Sequence, residues 1–168
     1  LIELKGESLI YWTLKSIFSS SLVSWVGIIG QPNDKHKLLN SVKGFSSKVQ
    51  WINGGETRQE SVFNGLNSLP SNAEKVLIHD GARCLIEPSL INKCALELEE
   101  NDAVILATKV TDTIKIVDDK GYIKETPDRK NLWAAQTPQG FSVEILRKAH
   151  VMAIENNWTV TDDASLFE

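Results

Sequence analysis

Apolar and amphipathic segments alternate along this chain. Short apolar runs predict buried strands at residues 25–29, 49–52, 75–78 and 103–107. Stretches with helical spacing of apolar positions predict helices at residues 8–19, 34–42, 57–66, 88–99 and 143–156. Strands that alternate with helices are typical of an α/β domain. We therefore expect a mostly parallel sheet with helices on both faces.

One segment departs from this alternation. Residues 113–117 and 122–124 are short strand-like runs on either side of the sequence DDKG, which predicts a β-hairpin with a glycine-containing turn. An isolated hairpin is only marginally stable in water, so we expect this one to pack against something. A second copy of the chain and the hairpin's own domain both remain open as partners.

Length and composition narrow the class of protein. A chain of 168 residues predicts one domain, and its net charge of −4 argues against nucleic-acid or membrane-surface binding. No apolar run approaches the roughly 20 residues that span a bilayer, and no signal-peptide pattern occurs. Cys84 and Cys94 are expected to be free thiols in a reducing cytosol, and the scattered histidines give no support for a multi-histidine metal site.

Candidate functional residues follow the strand predicted at residues 75–78. The sequence continues with His79, Asp80, Gly81, Ala82 and Arg83. Ligands of open α/β sheets lie beyond the carboxyl ends of the strands, where an acidic and a basic side chain suit a phosphorylated ligand and a metal. A structural ion pair around a tight turn would produce the same pattern, so both interpretations stay open.

A second candidate follows the strand predicted at residues 49–52. Gly54 and Gly55 permit a tight turn and close approach of a ligand, and they are followed by Glu56 and, one helical turn later, Ser61. An ordinary turn between a strand and a helix has the same pattern. The glycine motifs of dinucleotide-binding and P-loop proteins are absent.

Further polar candidates lie in the second half of the chain. Thr113, Arg129 and Thr137 supply the hydroxyls and guanidinium expected around a phosphate, although Arg129 fits a solvated loop equally well. Thr161 precedes Asp162 and is compatible with a helix N-cap as well as with ligand binding. A Ser–His–Asp triad is not supported, because no serine lies in a nucleophile elbow.

Several of these motifs occur together in a fixed order. They are GGETRQESV, HDGAR, VTDTIK, TPDRKNLWAAQTPQGF and TDDAS. Together they closely resemble the 2-C-methyl-D-erythritol 4-phosphate cytidylyltransferase family of the non-mevalonate isoprenoid pathway. The resemblance extends from near the first residue to the last. Its most specific parts are the DRKNLWAAQTPQGF run and TDDAS, whereas HDGAR is shared with related nucleotidyltransferases.

The resemblance implies a fold and a reaction. The fold is a doubly wound, Rossmann-like nucleotidyltransferase domain spanning residues 1–168, with a projecting β-arm at about residues 111–130 and a homodimer formed by exchange of arms. The reaction joins CTP and methylerythritol 4-phosphate to give CDP-methylerythritol and pyrophosphate, with Mg²⁺ as cofactor. The bacterial cytoplasm is the expected location, or a plastid where a transit peptide lies upstream.

The resemblance also implies roles for single residues. Those expected to border the cytosine and ribose of CTP are Gly54, Gly55, Glu56 and Ser61. Those expected to face the acceptor phosphate or the metal–nucleotide side are Asp80, Arg83, Thr113, Thr137 and Thr161. Asp80 is also the candidate metal ligand, and Arg129 of a partner subunit would position the attacking phosphate. No protein nucleophile is needed, because a phosphomonoester with a second pKa of about 6 is already largely ionised.

The chain departs from the family pattern at several points. The family's N-terminal glycine-rich loop, with its basic residue and transition-state lysine, and a C-terminal lysine are not among these residues, and we expect both ends to be cut. Glu56 replaces a frequent Asp, and Cys84 a common Pro. We therefore expect this exact polypeptide to be inactive or nearly so. The alternatives are a ribitol 5-phosphate cytidylyltransferase and a non-catalytic dimeric module that binds a phosphorylated ligand.

Overall fold

The computed structural model describes all residues 1–168. The strands are β1 Glu3–Leu4, β2 Glu7–Ser8, β3 Gly27–Gly30, β4 Gln50–Asn53, β5 Lys75–Ile78, β6 Ala103–Lys109, β7 Ile116–Val117, β8 Ile123–Glu125 and β9 Trp133–Ser142. The α-helices are α1 Leu9–Phe18, α2 Lys35–Ser41, α3 Arg58–Asn67, α4 Pro88–Glu97 and α5 Val143–Glu155. Short 3₁₀ turns lie at Pro32–Asp34, Arg129–Asn131 and Ala164–Phe167.

The predicted helices are present, and capping residues explain where several of them begin. Ser8 accepts a hydrogen bond from the Tyr11 backbone N–H at the start of α1, and the Thr57 hydroxyl accepts one from the Glu60 N–H at the start of α3. Pro88 opens α4, where its missing N–H costs nothing. The helix predicted at residues 34–42 corresponds to α2, which a short 3₁₀ turn precedes.

The strands pair in two main groups. β3 and β4 are parallel, whereas β9 lies between β5 and β6 and is antiparallel to both. The prediction of a mostly parallel sheet missed β9, because Pro138, Gln139 and Gly140 break the apolar run by which a buried strand is recognised. β5 and β6 are nevertheless parallel to each other, as expected for strands that alternate with helices.

Helices cover both faces of the three-stranded group. Val76 and Ile78 of β5 contact a core formed with α3 and α5, whose buried members are Val62, Leu66, Phe141 and Leu146. Leu77 points to the opposite face, because successive side chains of a strand alternate. A Cβ atom at Gly140 would lie 2.8 Å from the side chains of both Leu77 and Leu98, so this glycine lets the end of α4 pack closely on the second face.

A cavity separates the two groups of strands. β3 and β5 each have one edge with no strand partner, and an apolar cavity of about 660 Å³ lies between them. Ile10 and Leu14 of α1 line it on one side and Val62 of α3 on another. The cavity therefore lies within the layer of strands, between helices.

The predicted hairpin is formed by β7 and β8. The Asp118 carboxylate accepts hydrogen bonds from the N–H groups of Lys120 and Tyr122, and Gly121 adopts a φ of +83° that favours glycine. None of residues 111–131 is buried, and Ile116 and Ile123 are largely exposed. The hairpin therefore projects from the domain and does not fold back on it. No helix of the structure is both long and apolar enough to cross a membrane.

Candidate active site

The turn after β5 holds an ion pair. The Arg83 Nε lies 2.9 Å from the Asp80 Oδ2, and the Arg83 backbone N–H donates a hydrogen bond to the Asp80 carbonyl. The Arg83 guanidinium also donates to the Gln136 side-chain oxygen on β9. Both charged side chains are more than two-fifths exposed, so the pair orders the turn and leaves its charges open to a ligand.

His79 connects this turn to β9. Its Nε2 lies 3.2 Å from the Arg83 carbonyl, which can only accept, so Nε2 carries the proton. Nδ1 then accepts from the Thr137 hydroxyl at 2.9 Å, and the Thr137 oxygen accepts from the Asp80 N–H at 3.2 Å. Burial lowers the pKa of His79, although hydrogen bonds and Asp80 partly offset this effect. No local pattern links His79 to Thr137, which lies 58 residues further along the chain.

A small polar pocket of about 150 Å³ lies beside this network. It brings together the turn after β5, the middle of β9, the first residue of α3 and the segment before the last 3₁₀ turn. Its lining residues are Arg58, Asp80, Arg83, Ala135, Gln136, Thr137, Gln139, Thr161 and Asp162. Among the predicted site residues, the pocket therefore unites Asp80, Arg83, Thr137 and Thr161.

Arg58, Gln139 and Asp162 were not singled out from the sequence. Arg58 and Asp162 lie within the GGETRQESV and TDDAS motifs, so a signal for them was present. Gln139 likewise lies within the TPDRKNLWAAQTPQGF motif; it is buried, and its Nε2 donates to the Asp162 Oδ2 at 2.7 Å.

Asp162 holds the Thr161 segment in place. Burial alone would raise the pKa of its carboxyl, but hydrogen bonds from Ser165 and Gln139 outweigh burial and hold the pKa below its usual range. The Ser165 hydroxyl donates at 2.7 Å and its backbone N–H at 3.2 Å. The capping contact therefore comes from Asp162, and Thr161 lines the pocket and does not cap the 3₁₀ turn that begins at Ala164.

The glycine turn between β4 and α3 forms a separate structure. The Gly55 N–H donates to the Ser61 hydroxyl at 3.0 Å, and the Glu56 N–H donates to the Glu60 carboxylate at 2.8 Å. A Cβ atom at Gly55 would lie 2.4 Å from the Glu60 Cβ, so the turn itself requires glycine there. Gly54, Gly55, Glu56 and Ser61 lie together in this turn but do not line the polar pocket.

Thr113 and Arg129 lie on the exposed arm. The Arg129 guanidinium donates to the Thr111 carbonyl within the arm, and neither Arg129 nor Thr113 lines the polar pocket. Within one chain, the structure therefore does not bring these two predicted site residues to the others.

A family model for 2-C-methyl-D-erythritol 4-phosphate cytidylyltransferase matches residues 1–168, the whole chain. The chain belongs to this family. It therefore represents a cytidylyltransferase of non-mevalonate isoprenoid biosynthesis, as the sequence motifs predicted. The α/β architecture described above agrees with solved members of the family.

Cyanobacterial members of the family are similar over the full chain. The cytidylyltransferase of Prochlorococcus marinus (strain MIT 9515) is 84% identical over 168 residues, which are 100% of this chain and 75% of the relative. That of Parasynechococcus marenigrum (strain WH8102) is 55% identical, with 100% and 74% covered.

Solved structures of the family share the fold. The 4-diphosphocytidyl-2C-methyl-D-erythritol synthase of Anaerococcus prevotii DSM 20548 superposes with a TM-score of 0.91 at 31% identity, covering 99% of this chain and 73% of that one. The cytidylyltransferase of Thermus thermophilus has a TM-score of 0.82 at 27% identity, covering 98% and 74%.

Proposed function

We propose that this protein joins CTP and methylerythritol 4-phosphate to give CDP-methylerythritol and pyrophosphate in a bacterial cytoplasm, and that the polar pocket receives the acceptor phosphate. The observation that carries this proposal is the convergence of Asp80, Arg83, Thr137 and Thr161 on one pocket of about 150 Å³. Hydroxyl and guanidinium groups are suitable partners for a phosphate monoester.

We propose that the pocket promotes the reaction by aligning the two substrates. The acceptor phosphate is a largely ionised nucleophile near neutral pH, so its attack on the α-phosphorus of CTP needs no protein base. The protein must hold the two phosphates in line and neutralise their charge. Arg83 is suited to this task, because Asp80 and Gln136 fix its guanidinium while part of it stays exposed.

For the nucleotide, we propose the glycine turn as the site of the cytosine and ribose. Gly54, Gly55, Glu56 and Ser61 form a turn whose backbone is held by hydrogen bonds to Ser61 and Glu60. A preformed turn of this kind would recognise a base edge with little ordering cost. Arg58 begins the helix directly after this turn and also lines the polar pocket.

We propose Mg²⁺ as the metal, with Asp80 as its protein ligand. The structure contains no group of three or more His, Cys, Asp or Glu side chains suited to a metal ion. Magnesium commonly binds one or two carboxylates together with substrate phosphates, and an exposed carboxylate at the pocket suits that mode. When bound, the ion would neutralise charge on the nucleotide phosphates.

The arm supports the proposal of a homodimer. Ile116, Val117, Tyr122 and Ile123 expose between 46% and 70% of their surface, which is unusual for a strand pair that is stable in water. Exchange of arms between two copies would bury these side chains. It would also carry Thr113 and Arg129 to the partner's polar pocket, where Arg129 would position the attacking phosphate.

We also propose that the family's doubly wound sheet is completed between β3 and β5. Their facing edges have no strand partner, and the cavity between them is apolar and lies between helices. An extended segment from outside residues 1–168 would satisfy both edges. The N–H groups of Ile29 and Leu77 point to these free edges, because the alternate residues of β3 and β5 are the ones bonded to β4 and β9. Amide exchange at Ile29 and Leu77 should then be much slower in the full-length gene product than in the 168-residue polypeptide, and equal exchange would contradict this proposal.

The reaction is tested by pyrophosphate release from the full-length gene product. CTP, UTP and ATP are each combined with methylerythritol 4-phosphate or ribitol 5-phosphate, with and without Mg²⁺. We expect magnesium-dependent release only from CTP with methylerythritol 4-phosphate. Pyrophosphate release with ribitol 5-phosphate would show that this compound is the acceptor. Ligand binding without any pyrophosphate release would show that the protein is a non-catalytic binding module.

A further inference from the structure

A fully buried carboxylate lies behind the polar pocket. Asp163 has no exposed surface, and its Oδ2 lies 2.8 Å from the Arg58 Nη2. Its Oδ1 lies 3.3 Å from the Nε2 of His150, which is also fully buried and stacks on Phe63. No hydrogen bond of ordinary geometry reaches either oxygen of Asp163. Of the two polar neighbours of this carboxylate, Arg58 is the nearer and is a permanent cation.

The Arg58 side chain extends from Asp163 to the polar pocket. Its side chain is 40% exposed and forms part of the pocket lining. A buried carboxylate without a countercharge is very costly, so Asp163 holds the guanidinium in one place. The part of Arg58 that faces the pocket is consequently fixed by a residue that no ligand can touch.

The contact also joins two segments that are far apart in the chain. Arg58 is the first residue of α3 and directly follows the glycine turn, whereas Asp163 lies two residues after Thr161. One ion pair thus connects the turn proposed for the nucleotide with the segment proposed for the acceptor phosphate. Both binding segments therefore depend on this one contact for their relative position.

We propose that Asp163 is a positioning residue for both substrates and that it acts through Arg58. This inference rests on the proposed function of the pocket and of the glycine turn. Asp163 touches no ligand itself. It fixes the Arg58 guanidinium at the pocket and thereby the relative position of the glycine turn and Thr161.

The test is a double-mutant cycle in the full-length gene product with Asp163→Asn, Arg58→Gln and the double variant. Asp163→Asn keeps the side-chain shape and leaves Arg58 partly hydrated, so the protein should fold. We expect the KM values for CTP and for methylerythritol 4-phosphate to rise about 10- to 100-fold, with kcat changed much less, because the binding segments are no longer held in place before the substrates bind. In the Arg58→Gln background, Asp163→Asn should raise KM no further.

Controls separate positioning from general stability. Glu144→Gln removes an ion pair with Lys148 on the exposed face of α5 and should leave both KM values unchanged. A lower melting temperature of Asp163→Asn with unchanged KM values would overturn the inference, as would effects that multiply in the double variant. Absence of pyrophosphate release by the unmutated protein would instead overturn the proposed function, and this inference with it.

Discussion

The polar pocket and the arm both carry predicted site residues, but they differ in how those residues are held. In the pocket, Thr137 is 8% exposed and links His79 to the Asp80 backbone. On the arm, Thr113 and Arg129 lie in a segment without a single buried residue. The pocket is ordered by its own chain, whereas the arm has its exposed apolar side chains available for another copy.

This difference separates two kinds of site residue. A side chain fixed by its own fold should affect both stability and activity when it is changed. A side chain delivered by a partner should affect activity alone, and its loss should be repaired by a second copy that retains it. The predictions below test this distinction, and all activity measurements use the full-length gene product.

The largest expected effect follows from Arg83→Ala. This change removes a fixed guanidinium that we place at the transferring phosphates, and loss of one such group typically costs 10²- to 10³-fold in kcat. Pyrophosphate release under saturating substrates measures it. Lys148→Ala, which removes an exposed cation on α5, is the matched control and should retain full activity. Activity near that of the unmutated enzyme would show that Arg83 does not take part in the reaction.

Mixing two inactive variants tests the arm. Arg83→Ala and Arg129→Ala should each be nearly inactive alone, because each lacks one cation of the proposed site. If arms are exchanged, a mixed dimer contains one site with both arginines, so co-refolded chains should regain part of the activity. No recovery, in a sample shown to be dimeric, would place Arg129 outside the partner's site.

Thr137→Val tests the rigidity of the pocket. The substitution keeps the side-chain volume but leaves the Asp80 N–H and the His79 Nδ1 without the hydroxyl. Loss of one partner of a buried polar group should lower the free energy of unfolding by about 1–3 kcal/mol. Chemical denaturation measures the change, with Thr137→Ser as the control that keeps the hydroxyl. Equal stability of the Val and Ser variants would show that the hydroxyl is not structural.

The smallest expected effect concerns acid stability. The folded-state pKa of Asp162 is lowered, so its contribution to stability is present above the ordinary aspartate pKa of about 3.9 and is lost as the pH falls through the lower folded value. Asp162→Asn should therefore reduce the loss of unfolding free energy on acidification across this range. Asp128 and Glu144, whose pKa values are also lowered by lysine partners, contribute equally to both proteins. Identical pH profiles would contradict the prediction.

The local pattern of apolar and capping residues was sufficient to predict much of the secondary structure. β5 occupies the predicted residues 75–78, and α3, α4 and α5 lie within two residues of their predicted limits. Apolar spacing and capping residues act over a few positions, so the sequence carries them directly. β9 is absent from the strands predicted by apolar spacing, because Pro138, Gln139 and Gly140 interrupt its apolar run. The buried Gln139 is stabilised by Asp162, a distant partner that local pattern does not show.

The candidate site also has features that the sequence predicted and features that it did not. The sequence by itself determined the family, the hairpin and the presence of an acid–base pair after β5, since each is encoded in contiguous residues. Only the tertiary structure decided how His79 and Thr137 connect to that pair, that Thr113 and Arg129 lie away from it within one chain, and that Asp163 lies buried behind Arg58. Burial and ion pairing between distant segments depend on how the whole chain packs, and no local pattern specifies them.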